Sequence, residues 1–226
     1  MTLLAVALLL GSAAAFTWTE HLKLQRLPVT EARFERWFSP LCGCRRESER
    51  LSFRLLRRDR IDVAVVDEDG EVVKALAESL ERPPGHVELD WDGRDAAGGI
   101  VPDATYRVRV HLERADRTVL LRRPVRVDTR PPRVRMGSIS ATTLSLGGDG
   151  IRIGYTVSEP GRLVLLVDGR RAVAARVQQA GSSTLRWRGA FRSRTIAPGV
   201  HEIAFAFVDR AGNRSQRTDP VPVTVT

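Results

Sequence analysis

Thr105-Tyr106-Arg107-Val108-Arg109-Val110-His111-Leu112 is the stretch on which the fold turns. Tyr106, Val108, Val110 and Leu112 alternate with polar or charged neighbours. This period of two suits a strand lying with one face on a core, not a helix. The same alternation recurs upstream in Leu51, Phe53 and Leu55, in Ile61, Val63 and Val65, and in Val87, Leu89 and Trp91. Turn chemistry separates the runs: Asp67-Glu68-Asp69-Gly70, Pro83-Pro84-Gly85, Asp92-Gly93 and Gly98-Gly99. Arg114 to Arg117 reads as a further turn, and Thr118 to Val127 as one last strand. Short strands at this spacing, with no helical period among them, predict an all-β sandwich whose sheets each bury one face.

The pattern then repeats. Pro131-Pro132 cannot extend a central strand, because neither residue donates a backbone N–H. Beyond it, Ile151, Ile153, Tyr155 and Val157 parallel the run from Leu51. Leu163, Leu165 and Val167 lead into Asp168-Gly169, as Ile61, Val63 and Val65 lead towards Asp69-Gly70. Trp187-Arg188-Gly189 matches Trp91-Asp92-Gly93, and Ile203, Phe205 and Phe207 match Val108, Val110 and Leu112. Trp91 and Trp187 stand 96 positions apart, Tyr106 and His201 95 apart. Such constancy predicts duplication of one sandwich into two tandem domains. The predicted organisation is an apolar segment over 1–19, a connector over 20–37, one immunoglobulin-like domain over 38–129 and a second over 133–226.

The run Trp91-Asp92-Gly93-Arg94-Asp95-Ala96-Ala97-Gly98, followed by Val101-Pro102-Asp103 and Tyr106-Arg107-Val108, resembles the FlgD-type immunoglobulin-like domain of bacterial surface and hook-capping proteins. The resemblance covers roughly residues 38–128 and includes Phe38-Ser39-Pro40 and the Asp69-Gly70 hairpin. Ala104 departs from the glycine usual before the tyrosine; Gly199 keeps it in the second repeat. If the position needs a positive φ, alanine costs about 1 kcal/mol there. Asp209-Arg210-Ala211-Gly212-Asn213 is similar to the D-x-A-G-N turn of divergent bacterial immunoglobulin-like domains. The resemblance implies structural roles for Trp91, Asp92, Gly93 and Tyr106 in the first repeat. In the second it implies them for Trp187, Gly189, Gly199, Asp209, Gly212 and Asn213.

Residues 1–19 carry no charge, and Leu3 to Leu10 is almost wholly Leu, Ala and Val. That length suits a transmembrane anchor, and Ala13-Ala14-Ala15 suits a signal-peptide cleavage site; both readings stand. No basic residue precedes the segment, while Lys23 and Arg26 follow it, which on the positive-inside rule alone argues for the opposite orientation. No cysteine lies near enough for a lipoprotein anchor. Either reading places the sandwiches outside the cytoplasm, on a single-pass membrane protein or on a secreted one.

The net charge is +9, and Lys23 and Lys74 are the only lysines among 36 basic residues. The arginines fall at alternate strand positions, as Arg107 and Arg109 do, which is the pattern of a solvated sheet face. No basic arm or row of stacking aromatics points to nucleic acid. Attraction to acidic cell-envelope polymers or lipid headgroups fits the charge. Cys42-Gly43-Cys44 holds too few thiols for structural zinc and lacks redox spacing. A bridge across one residue closes a tight ring, so a turn of small residues is the favoured reading, with a local disulfide or a reactive thiol pair as alternatives. Asp90, Asp92 and Asp95 read as turn formers, since a calcium loop needs a fuller ligand set. Gly147-Gly148-Asp149-Gly150 lacks the Lys and helix of a phosphate cradle. His21, His86, His111 and His201 share no metal or catalytic spacing. Trp37 and Trp91 both read as core. No catalytic, cofactor or metal set follows. The expectation is a non-enzymatic structural, adhesion or scaffold protein of the bacterial cell envelope, partnered by the membrane and by an envelope polymer or protein. The alternative is an accessory carbohydrate- or peptidoglycan-binding module.

Overall fold

The computed structural model describes residues 28–191 and 194–226. The anchor or signal segment, and the connector up to residue 27, lie outside the described residues. Among the described residues no helix is long and apolar enough to cross a membrane.

Nine strands come from the first half: β1 (Val29–Arg33), β2 (Trp37–Phe38), β3 (Glu49–Leu55), β4 (Asp59–Val66), β5 (Val72–Arg82), β6 (Gly85–Trp91), β7 (Thr105–Leu112), β8 (Arg117–Leu120) and β9 (Val125–Val127). One sheet runs β1-β3-β6. The facing sheet runs β2-β9-β7-β4-β5, with β8 added on β7. The second half supplies β10 (Val134–Ile139), β11 (Thr143–Leu144), β12 (Ile151–Val157), β13 (Gly161–Val167), β14 (Arg170–Gln178), β15 (Gly181–Trp187), β16 (Ala190–Phe191), β17 (Arg194–Thr195), β18 (Gly199–Asp209) and β19 (Val221–Val225). Its sheets run β10-β12-β15 and β11-β19-β18-β13-β14, beside the small hairpin β16-β17.

The two strand orders are the same order. Each half opens with a strand divided between both sheets, and each pairs its second piece in parallel with its last strand: β2 with β9, β11 with β19. Every other ladder is antiparallel. This is immunoglobulin-like sandwich architecture. Leu51, Phe53, Ile61, Val63, Val108 and Val110 fill the first core; Ile153, Leu163, Leu165, Ile203, Phe205 and Phe207 fill the second. Each such side chain stabilises by about 1.5–3 kcal/mol relative to exposure.

Three expectations change. Residues 29–33 of the expected connector are a strand, because Val29 and Phe34 are buried in the first core and β1 pairs with β3. Thr118 to Val127 is not one strand. β8 stops at Leu120 and β9 restarts at Val125, after Pro124, which has no N–H to donate. The alternation fails in β13, where Val164 and Leu166 are buried as well as Leu163, Leu165 and Val167. Val164, Leu166 and Ala204 form a small apolar cluster of their own, apart from the main core.

Candidate functional site

The two sandwiches meet where β9 ends, where the β12–β13 connection turns and where β18 ends. Asp128 follows β9, Glu159 lies in the connection, and Asp209 closes β18. Their carboxylate oxygens come within 4.8 Å of one another. The Asp209 loop explains how. Asp209 Oδ1 accepts from the backbone N–H of Gly212 (2.7 Å) and Asn213 (2.9 Å), and Oδ2 accepts from Asn213 Nδ2 at 2.8 Å. The same Asn213 amide also donates across the joint to the carbonyl of Asp128 at 2.7 Å. Asp209 and Asn213 are both buried, so these bonds form largely away from water.

The linker is fastened on both sides. Asp103 Oδ1 accepts from the Thr129 backbone and hydroxyl, each at 2.8 Å, and Asp103 Oδ2 lies 2.9 Å from Arg130 Nε. On the far side the Arg133 N–H donates to Ser158 Oγ at 2.9 Å. Burial raises the Asp128 carboxyl above its usual range, and Asp209 and Asp103 add to the rise. Burial also raises Glu159, with Asp209 and Asp128 pushing the same way. The cluster is therefore a crowded set of like charges held by amide donors. Asp209 already accepts three hydrogen bonds, leaving little of its lone-pair capacity for a cation. Nothing in the sequence spacing marks these three residues, which come from three different turns.

A disulfide abuts the same loop. Cys42 and Cys44 are bridged, with an S–S distance of 2.09 Å and Cα atoms 5.2 Å apart. This corrects the favoured reading of a simple turn. Gly43, at φ +56°, reverses the chain between them and brings the sulfurs together. A β-carbon at Gly212 would lie 2.6 Å from Cys44 Sγ, so only glycine lets the two surfaces meet. Beside it, Arg46 donates from Nη1 to the Arg210 carbonyl and pairs through Nη2 with Glu35 Oε2 at 3.0 Å.

The remaining motif residues are built into the sandwiches. Trp91 and Trp187 are buried, end equivalent strands, and each donates Nε1–H to the carbonyl three residues on, Arg94 and Ala190. Gly93 and Gly189 follow them with φ of +72° and +79°. Asp92 Oδ1 accepts from the Arg94 N–H, Asp95 Oδ1 from the Gly99 N–H, and Asp90 pairs with Arg50. Tyr106 OH donates to the Pro102 carbonyl at 2.8 Å; His201 Nε2 contacts the Ala197 carbonyl at 2.9 Å in the equivalent place. Gly199 takes φ +139°, whereas Ala104 takes no positive φ, so the alanine carries no strain.

His201 Nδ1 also lies 2.7 Å from Asp168 Oδ2. Both ring nitrogens face oxygen acceptors, which suits a doubly protonated imidazolium and leaves no nitrogen free to act as a base. The Asp168 hydrogen bond raises the His201 pKa against partial desolvation. For Asp168, burial acts upward, but the His201 and Glu202 hydrogen bonds outweigh it and lower the carboxyl. One further correction concerns Trp37. It is only half-buried, and the Arg126 guanidinium sits 5.0 Å from its ring centroid.

No protein-family model and no curated protein matches the chain. Among solved structures, a "Biofilm associated protein - BSP domain" aligns at 10% identity and TM-score 0.30, covering 88% of this chain and 30% of that one. Fibronectin(III)-like modules of Clostridium thermocellum CbhA align at 22% identity and TM-score 0.26, over 39% of this chain and 93% of theirs. Dimeric latent PorU from Porphyromonas gingivalis aligns at 8% identity and TM-score 0.33, over 88% of this chain and 20% of its own. The chain thus spans less than a third of the length of the first and third of these.

Proposed function

We propose that the chain is a non-enzymatic scaffold or adhesion module of the bacterial cell envelope, presenting two sandwiches in a fixed relative orientation outside the cytoplasm. The observation that carries this reading is the joint. Asn213 donates across it to Asp128, and the Cys42–Cys44 bridge rests against Gly212. A stiff junction between two copies of one sandwich serves spacing and presentation. It offers no converging nucleophile and base, and His201 has both nitrogens engaged. The disulfide supports an oxidising compartment, where such bridges persist. The uncharged residues 1–19 support export by an anchor or a cleaved signal. The Trp91-Asp92-Gly93 and Tyr106 motifs support kinship of the first sandwich with FlgD-type domains.

The test is a pair of C-terminal fusions to the full chain, one reporter active only outside the cytoplasm and one only inside it. Activity confined to the outside reporter is expected. Activity confined to the cytoplasmic reporter would sink the reading.

A further inference from the structure

Beside the joint, a cleft of about 580 Å³ opens between the Glu35–Arg46 region of the first sandwich and the outer face of the second sandwich's larger sheet. Arg36, Arg45, Arg162, Arg171, Arg210 and Arg214 line it, and all six are exposed. None of them forms an ion pair among the described residues. Arginines elsewhere on the surface are in part paired, as Arg54 is with Glu31, Arg114 with Glu81 and Arg186 with Asp149, and those left unpaired are spread along strands and loops, whereas these six converge on one recess. The cleft's own acids do little to neutralise it. Glu35 is taken by Arg46, and Asp209 is buried and bonded by its own loop. Six unpaired guanidinium groups around one recess repel one another and build a local positive potential that an anion relieves.

The rest of the lining narrows the class of anion. Guanidinium groups match carboxylate and phosphate oxygens in a bidentate fork. Val164, Val177 and Val208 supply an apolar strip, and half-buried Trp37 adds an aromatic ring to the lining. Both suit the C–H face of a sugar ring. A second depression shares Arg36, Arg45 and Arg46 with the cleft and adds Arg33, Arg50 and Arg123 against the acids Glu49 and Asp90, so the surplus of basic side chains runs further than one small anion needs. Single-stranded nucleic acid would call for a row of stacking aromatics, and Trp37 stands alone. A bilayer would meet arginines on a flat or bulging face, whereas these line a recess.

We infer that this cleft binds an anionic glycan, a sugar polymer bearing carboxylates or phosphodiesters, across both sandwiches. The inference deepens the envelope reading by naming a partner, and it rests on that reading only for where such a polymer is met.

The experiment is calorimetric titration of the full chain, in mild detergent, with polygalacturonate, a sugar-phosphate polymer, an uncharged galactan of equal length and a short single-stranded oligonucleotide. Either anionic glycan or both should bind, more weakly as salt rises. The double variant Arg162→Glu/Arg214→Glu should weaken binding about tenfold or more, whereas Arg107→Glu, outside the cleft, should change it less than about twofold. If the double variant melts below the parent, Arg171→Glu alone replaces it. Equal binding of the uncharged galactan overturns the inference. So does tighter binding of the oligonucleotide, absence of binding by both anionic glycans, or unchanged affinity in the folded variant. The reporter fusions read location without reference to binding, so the two failures are separable.

Discussion

Gly212 lies against Cys44 so closely that a β-carbon on the glycine would stand 2.6 Å from the sulfur. Two residues far apart in sequence thus meet at the joint of two sandwiches, one in the D-x-A-G-N turn, the other in a three-residue disulfide loop. Gly212→Ala adds that carbon at a φ of +102°, a conformation alanine resists. The variant is expected to lose about 1–3 kcal/mol of stability in denaturant unfolding of the full chain. Unchanged unfolding would show that the contact is not held in solution.

Trp91 and Trp187 should behave as equivalent core residues. Each is buried, and Trp91 packs edge-on against Phe38 and Tyr106 at ring-centroid distances of 5.3 and 5.2 Å. Truncation of either to Ala should cost about 3–5 kcal/mol. Arg107→Ala, on the exposed face of β7, should stay within about 0.5 kcal/mol of the parent. Melting of Trp91→Ala at the parental temperature would refute the burial.

Much of this architecture is legible in the sequence, and the reason is periodicity. Val108 and Val110 betray their strand because they alternate with Arg107, Arg109 and His111, and the second Trp-x-Gly betrays the duplication. The joint is not legible. Asp128, Glu159 and Asp209 come from three separate turns, and no spacing rule brings them together. The Cys42–Cys44 bridge runs against the favoured reading of a simple turn and depends on a left-handed Gly43. Trp37 looks like core because it adjoins Phe38, yet only Phe38 is fully buried. The basic cleft is hidden for a similar reason. Its arginines sit at ordinary outward strand and turn positions, and only the placement of one sandwich beside the other makes them converge.

Glu49 should give the fold a measurable pH dependence. Its carboxyl is buried and its pKa pushed up to about 7, chiefly by desolvation, with Glu35 adding to the rise. The Glu35 N–H, Arg46 and Arg123 offset part of it. The native state therefore keeps a proton that the unfolded chain has released. Stability should fall as pH rises from about 4.5 to about 7. Glu49→Gln keeps an acceptor for the Glu35 N–H and should flatten this slope, gaining up to about 3 kcal/mol over the parent at neutral to mildly alkaline pH. His201, whose pKa is raised by Asp168, contributes a loss of the same sign at higher pH in both proteins. Denaturant unfolding across this range decides the matter; identical slopes would exclude Glu49 as the source.

Each half should fold alone. The main buried clusters lie one within 29–127 and one within 144–225, the small Val164–Leu166–Ala204 cluster falls inside the second range, and the strand order is complete in each half. Fragments 28–130 and 131–226 are expected to give β-rich circular dichroism and cooperative unfolding. A fragment that folds only when joined to its partner would make the chain one interleaved unit.

The proposed fixed orientation of the two sandwiches is most directly tested by a distance distribution. Glu88 and Thr184 are exposed on the three-stranded sheets of the first and second sandwich. Spin labels at these two positions, read by pulsed dipolar spectroscopy in the full chain, should give a single narrow distance distribution. Asn213→Ala, which removes the amide bridging Asp209 and the Asp128 carbonyl, should broaden it. A distribution already broad in the parent, and unchanged by Asn213→Ala, would contradict a fixed joint.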